Sequence, residues 1–152
     1  RLGRQNIDIP AGERAYPVTD SFVLPVDVEV HAIQPHSHSR ARSVRGVATL
    51  PDGTTRPLIS IENWDFRWQH VYRFTQPFVL PKGTRLSMHY VFDNSADNPR
   101  NPDPDQWVGM GQRTTDEMSH AWIAVTHLDE EGYERLVSER ESRPVVDNGG
   151  AR

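Results

Sequence analysis

The alternating run Val26–Ala32 constrains the fold of this 152-residue chain more than any other feature. Aliphatic and polar residues take turns along it, and in a β-strand side chains two positions apart share one face. If the strand continues, the aliphatic face also includes Gln34, His36 and His38. The pattern therefore predicts a strand whose core-facing side ends in two imidazoles, which suits a metal better than packing.

The composition limits the kinds of partner and metal site. Hydrophobic residues make up 36% of the chain and charged residues 25%, and the net charge is −4 with Lys and Arg scattered. These values predict one soluble domain with no nucleic-acid partner, and no apolar run is long enough for a membrane span. The chain has no cysteine, so a metal must be held by His, Met, carboxylate or backbone oxygen.

Short β-prone segments separated by Pro and Gly turns fill most of the chain. Ser43–Leu50 and Thr54–Ile61 flank Pro51-Asp52-Gly53 and predict a hairpin. Asp93–Asp105 predicts an irregular loop, and Ala121–Leu128 predicts a final strand. We therefore expect an all-β fold, an antiparallel β-sandwich or jelly roll.

The predicted domain organisation has three parts. Residues 1–19 form an N-terminal extension or edge strand, and residues 20–128 form the β-sandwich. Residues 129–152 form a C-terminal helix and tail, because Glu130–Glu141 has the apolar spacing of a short helix.

The aromatic residues Trp64, Phe66 and Trp68 alternate along the chain. They could form an exposed binding platform, or they could lie on one strand face that packs the core. Because large aromatic side chains dominate core burial, we expect the core position.

A second segment offers side chains that could join the imidazoles. Met118, His120 and Trp122 share a face if the final strand has begun there. A single Met is more typical of a core than of a metal site, although a thioether binds Cu(I) and imidazole binds both copper oxidation states. His36 and His38 with Met118 would leave an open position on copper for oxygen.

Five distinctive segments follow one another between about Asp20 and His127. They are His36-Ser37-His38, Trp64–Gln69, Leu80–Thr84, Asp93–Pro99 and Thr115–Met118. Together they resemble the C-terminal domain of the copper type II, ascorbate-dependent monooxygenases, the family of peptidylglycine α-hydroxylating monooxygenase and dopamine β-monooxygenase. The chain is most similar to bacterial members, and the family usually works outside the cytoplasm, in the periplasm or as secreted proteins.

The resemblance implies a jelly-roll domain that holds one copper on His36, His38 and Met118. It further implies hydroxylation of a C–H bond with dioxygen, with electrons from ascorbate or another donor. In the family, a second copper on three His of a separate N-terminal domain relays electrons. The spacing of the other His in this chain does not support such a site, so we expect an electron-donor domain or protein.

Three positions near the implied ligands differ from the peptide-amidating member of the family. Gln34 stands where that enzyme has an Arg that helps to hold the substrate carboxylate, and His120 and Trp122 replace an Asn and a Tyr. Without the Arg, a bidentate bond to a carboxylate is lost. The substrate, a small molecule or a peptide, therefore stays open. His120 is either a further ligand or a neighbour of the pocket, and we favour the neighbour.

Two functional hypotheses follow from the sequence. The first is a copper-dependent monooxygenase-like domain, and the alternative is a non-catalytic copper-binding or interaction module of a larger multidomain protein. Whether the domain is an enzyme by itself stays open.

Overall fold

The computed structural model describes residues 1–4 and 6–142. Its strands and helix are β1 (Leu2–Gly3), β2 (Asp8–Ile9), β3 (Tyr16–Val23), β4 (Val28–His36), β5 (Ala41–Thr49), β6 (Thr55–Ile61), β7 (Tyr72–Leu80), β8 (Arg85–Phe92), β9 (Val108–Gly109), β10 (His120–His127) and α1 (Glu130–Ser142). All of these strands pair antiparallel with their sheet neighbours. The predicted all-β fold and the short C-terminal helix are confirmed.

Two four-stranded sheets make up the sandwich. One has the strand order β1-β10-β4-β7 and the other the order β3-β8-β5-β6, while β2 and β9 form a separate two-stranded ribbon. Buried side chains of β4, such as Val28 and Val30, belong to one apolar cluster with Leu86 and Phe92 of β8. The core therefore lies between the two larger sheets.

The predicted hairpin joins β5 and β6. Gly53 has a φ of +86°, a conformation that side chains rarely adopt. One carboxylate oxygen of Asp52 accepts hydrogen bonds from both the backbone N–H and the hydroxyl of Thr54, at 2.8 and 2.7 Å. The turn residues thus fix the pairing as the sequence predicts.

A β-bulge at His31 interrupts the alternation of β4. Val30 lies opposite Val125 of β10, and Ala32 lies opposite Ala124, so His31 has no residue opposite it. One extra residue in one strand shifts every later side chain to the other face.

The bulge changes which residues of β4 face the core. Beyond it, Ile33 and Pro35 are buried, while Gln34 and His36 are half-buried on the opposite face. The prediction that His36 continues the aliphatic, core-facing side of the strand is therefore wrong. His36 lies on the outward face of its sheet.

The aromatic residues Trp64, Phe66 and Trp68 do not share a strand face. Residues 62–71 form turns and irregular backbone. Trp64 is fully buried in the core, as expected, but Trp68 is 65% exposed. Without a strand, the alternating spacing of these residues does not fix the direction of their side chains.

The ends of the chain complete the fold. Residues 1–19 contain β1, β2 and the first part of β3, and α1 follows β10. Part of the predicted tail, residues 143–152, lies outside the described residues, and the division into three parts stays a prediction. No helix in residues 1–4 and 6–142 is long and apolar enough to cross a membrane.

Candidate metal centre

His36 ends β4, and its ring is oriented by Gln69 from the loop before β7. The Gln69 side-chain N–H group donates to the backbone oxygen of Phe66 at 2.9 Å, so the amide oxygen faces the imidazole. That oxygen lies 2.5 Å from Nδ1 of His36 and accepts its proton. The Nε2 atom of His36 is then the nitrogen with the free lone pair.

His38 lies two residues beyond the end of β4 and is almost completely buried. Its Nδ1 lies 2.9 Å from the backbone oxygen of Asp116, which can only accept. The ring also packs edge-on against Phe66, with the centroids 5.9 Å apart. The same tautomer results, with the lone pair on Nε2.

The two imidazoles are close enough to bind the same metal ion. Their ring centroids are 5.2 Å apart and the planes are nearly perpendicular, at 86°. Burial lowers the pKa of His36, and the hydrogen bond that its Nδ1 donates to Gln69 partly offsets that effect. A neutral imidazole with an acceptor on Nδ1 is the arrangement that metal-binding His residues usually have.

The Met118 segment lies beside these rings. The hydroxyl of Ser37 donates to the backbone oxygen of Met118 at 2.7 Å, and Asp116, two residues earlier, holds His38. Met118 is buried, yet among the described residues it does not belong to the apolar core cluster that contains Met88. The segment that contains Met118 is thus fixed to the turn that carries His38.

The ligand chemistry limits which metal could fit. No group of three or more His, Asp or Glu side chains suited to a metal ion occurs in residues 1–4 and 6–142. A site that uses His36 and His38 therefore needs a ligand of another type, and the nearby segment offers the thioether of Met118. Two imidazoles and a thioether are ligands that suit copper.

The buried carboxylate of Glu117 contacts the turn that carries His38. Glu117 is fully buried and accepts hydrogen bonds from Ser37, His38, Arg40 and Met118. Burial raises its pKa to about 7, although the backbone N–H donors and the Arg40 charge act in the opposite direction.

Arg40 carries the opposite charge and is equally enclosed, at 1% exposure. Its guanidinium donates to the side-chain oxygen of Asn94 at 2.7 Å and to the backbone oxygens of Thr115 and Asp103, at 2.7 and 3.2 Å. These hydrogen bonds satisfy a charged group that would be costly to bury without partners. The loop that follows β8 therefore supports the turn that carries His38.

His120 lies beside His36 and His38, but in the described residues the three do not form a group suited to a metal. It is directly opposite His36 in the β4–β10 pair, and the ring centroids are 6.4 Å apart. Its Nε2 is buried without a hydrogen-bond partner. Burial lowers the pKa of His120 to about 4, with smaller contributions from Arg1 and the other two imidazoles.

Gln34 and Trp122 extend the outward face next to His36. They lie opposite each other in the β4–β10 pair, and the Trp122 ring is 6.1 Å from the ring of His36. Trp122 is 42% exposed. The three sequence-predicted pocket residues Gln34, His120 and Trp122 are thus close to His36.

The remaining His residues have other partners. His31 contacts Thr126 and Glu29 at the surface, as expected for an outward-facing residue. His89 lies on β8 and contacts Thr19, and His127 packs against Tyr133. In the described part of the chain, these His residues do not form a group suited to a metal.

Sequence reasoning missed the residues that support the rings. Glu117 and Gln69 lie in two of the segments that carry the family resemblance, but the sequence assigns a role to neither. A charged residue directly before Met118 was a signal for Glu117. Gln69 gave none, because its contact with His36 depends on an irregular loop.

The fold and the two oriented imidazoles define a β-sandwich domain with a candidate metal site at the end of a strand. Residues 16–131 match the family described as copper type II ascorbate-dependent monooxygenase, C-terminal domain. The match covers more than half of the chain, so the chain belongs to this family. No curated protein matches it.

Proposed function

We propose that the chain binds one type II copper ion through His36, His38 and Met118 and hydroxylates a C–H bond of its substrate. Family membership gives the class of chemistry, which uses copper, dioxygen and ascorbate. The observation that carries the residue assignment is that both Nδ1 atoms face acceptor oxygens. Each ring therefore has its Nε2 lone pair available for a metal.

The residues fit copper in three respects. The rings of His36 and His38 are adjacent and have the same tautomer, and Met118 is buried in the segment that Ser37 and His38 contact. Bound copper would supply the redox chemistry that activates dioxygen. The chain itself orients the imidazoles through Gln69 and the backbone of Asp116, and it encloses the ring of His38.

The outward face next to His36 is the candidate substrate surface. Trp122 offers an exposed aromatic ring, Gln34 offers an amide, and His120 lies at the buried end of the same face. None of the three carries a charge that would pair with a carboxylate while His120 is neutral. We propose a small molecule or peptide that is held by stacking and amide hydrogen bonds.

The electrons would come from ascorbate or from a neighbouring redox domain or protein. We further propose a bacterial origin, because the sequence resembles bacterial members of the family, and an extracytoplasmic location, periplasmic or secreted, because the family usually works outside the cytoplasm. The alternative function is a non-catalytic copper-binding or interaction module. We keep it as the alternative because an electron-relay metal would need a site of its own, and residues 1–4 and 6–142 contain no group of three or more His, Asp or Glu side chains suited to a metal.

Hydrogen peroxide tests the two functions without an electron donor. It supplies the oxygen atom and both electrons, so that a substrate C–H becomes C–OH and the other peroxide oxygen leaves as water. The Cu(II)-loaded protein would be incubated with ¹⁸O-labelled peroxide and a panel of small molecules and peptides. Label in a hydroxylated product that disappears in His38→Ala supports the monooxygenase. Tight copper binding without labelled product across the panel supports the alternative instead.

A further inference from the structure

We infer that Glu117 is the positioning residue that joins the two chain segments carrying the candidate copper ligands, an inference that rests on the copper site proposed above. One segment is the turn after β4, with His38. The other is the stretch before β10, with Met118. They are about eighty positions apart in the sequence, so their relative placement depends on tertiary contacts.

The two carboxylate oxygens of Glu117 reach both segments. Oε2 accepts from the hydroxyl of Ser37 at 3.2 Å and from the backbone N–H of His38 at 2.9 Å, and Oε1 accepts from the backbone N–H of Arg40 at 2.6 Å. Oε2 also faces the backbone N–H of Met118 at 3.3 Å. The carboxylate therefore contacts three residues of the His38 turn and the backbone of Met118.

Only a carboxylate satisfies this set of contacts. Three backbone N–H groups donate to it, that of Arg40 to Oε1 and those of His38 and Met118 to Oε2. Ser37 shares its single hydroxyl proton between Oε2 and the backbone oxygen of Met118. A Gln side chain has one acceptor oxygen and one N–H₂ group, so in either orientation it would present a donor to at least one buried donor. An unsatisfied buried donor is costly, and the segments would separate to relieve it.

Arg40 also connects the His38 turn to the Met118 segment. Its backbone N–H binds Oε1 of Glu117, and its guanidinium binds the backbone oxygen of Thr115, two residues before Glu117. The turn and the Met118 segment are therefore joined twice, once by each buried charge. Because Met118 directly follows Glu117, the carboxylate sets where the thioether lies relative to the imidazoles.

X-ray absorption at the copper edge tests this role, because it detects whether a sulfur atom coordinates Cu(I). We expect about one sulfur per copper in the parent protein loaded with Cu(I). In Glu117→Gln, the sulfur scattering should disappear while imidazole scattering remains. Copper(I) affinity should fall roughly 10- to 100-fold, the usual effect of losing a group that orients a ligand.

Two controls separate positioning from stability. Met118→Leu removes the sulfur directly and gives the reference spectrum without it. Leu86→Ala removes a buried side chain of the opposite sheet, so it should lower the melting temperature and keep the sulfur shell. A merely structural role of Glu117 would make Glu117→Gln behave as Leu86→Ala does.

The outcomes distinguish this inference from the proposed ligand set. A parent protein without a sulfur shell overturns the assignment of Met118. A parent with the shell and a Glu117→Gln variant that keeps it overturn only the role of Glu117. If Glu117→Gln does not fold, Ser37→Ala takes its place, since it removes hydrogen bonds to both Glu117 and Met118. Unchanged sulfur scattering in that variant also overturns the inference.

Discussion

The ring of His120 lies over Gly3 of β1. His120 belongs to β10, which pairs with β1 on one side and with β4 on the other, where His36 is the residue directly opposite. A Cβ atom at Gly3 would come within 2.1 Å of Cδ2 of His120. The ring therefore occupies the space above the glycine, and β1 covers it. On the other side of β10, β4 contributes His36 to the candidate site, and the ring centroids of His36 and His120 are 6.4 Å apart.

Replacing His120 with Ala should leave the copper stoichiometry at one ion per chain. The described residues contain no group of three or more His, Asp or Glu side chains suited to a metal, so we predict that His120 is a neighbour of the pocket and not a ligand. Elemental analysis after dialysis against copper gives the ratio. Loss of copper in His120→Ala, with the fold intact by circular dichroism, would mean that the ligand assignment is incorrect.

Substituting Gly3 with Ala should destabilise the protein by about 1–3 kcal/mol, the typical cost of overpacking. The added methyl group would meet the His120 ring at 2.1 Å and the backbone oxygen of Ser119 at 2.9 Å. Urea unfolding measures the change. Gly109→Ala is the matched control in another short strand, because its nearest neighbour would be 3.7 Å away. Equal stabilities of the two variants would contradict the packing of His120 against β1.

Changing Gln69 to Leu should weaken copper binding about 10- to 100-fold, because Nδ1 of His36 loses its acceptor. Gln69→Glu keeps an acceptor oxygen at the same distance and should bind copper at least as well as the parent. Competition with a chelator of known affinity measures both variants. An affinity of Gln69→Leu equal to that of the parent would show that the tautomer of His36 does not depend on Gln69.

The replacement of Arg40 by Met should lower the unfolding free energy by about 1–3 kcal/mol, because the side-chain oxygen of Asn94 and the backbone oxygens of Thr115 and Asp103 lose the guanidinium that donates to them. Arg42→Met, two residues later on β5, is the control, since Arg42 is exposed and surface substitutions usually change stability by less than about 0.5 kcal/mol. The free energies come from urea denaturation. A similar small effect for both variants would remove the basis for a supporting role of Arg40.

The fold class could be predicted because it depends on local signals. Turn residues such as Asp52 and Gly53 fix the β5–β6 hairpin, and alternation identifies β4 and β10. The face of His36 could not be predicted in this way. It depends on the bulge at His31, which is a property of the pairing between β4 and β10 and leaves no mark in the sequence of β4 alone.

The part of the site that is formed by residues close together in the sequence could be predicted. His36 and His38 are two residues apart, so their proximity follows from the sequence. The contacts of Glu117 and Gln69 connect residues that are tens of positions apart. A single sequence does not indicate which distant residues meet in this way. Family resemblance supplied the link to Met118, which spacing alone could not.

Electron paramagnetic resonance of the Cu(II)-loaded protein tests the central claim that His36 and His38 hold copper. The parent should show one type II signal per chain with nitrogen couplings from two imidazoles, and His89→Ala, which removes an exposed imidazole on β8, should leave it unchanged. The signal should be lost or strongly altered in His36→Ala and in His38→Ala. If both of these variants bind copper as well as the parent and give the same signal, the claim is wrong.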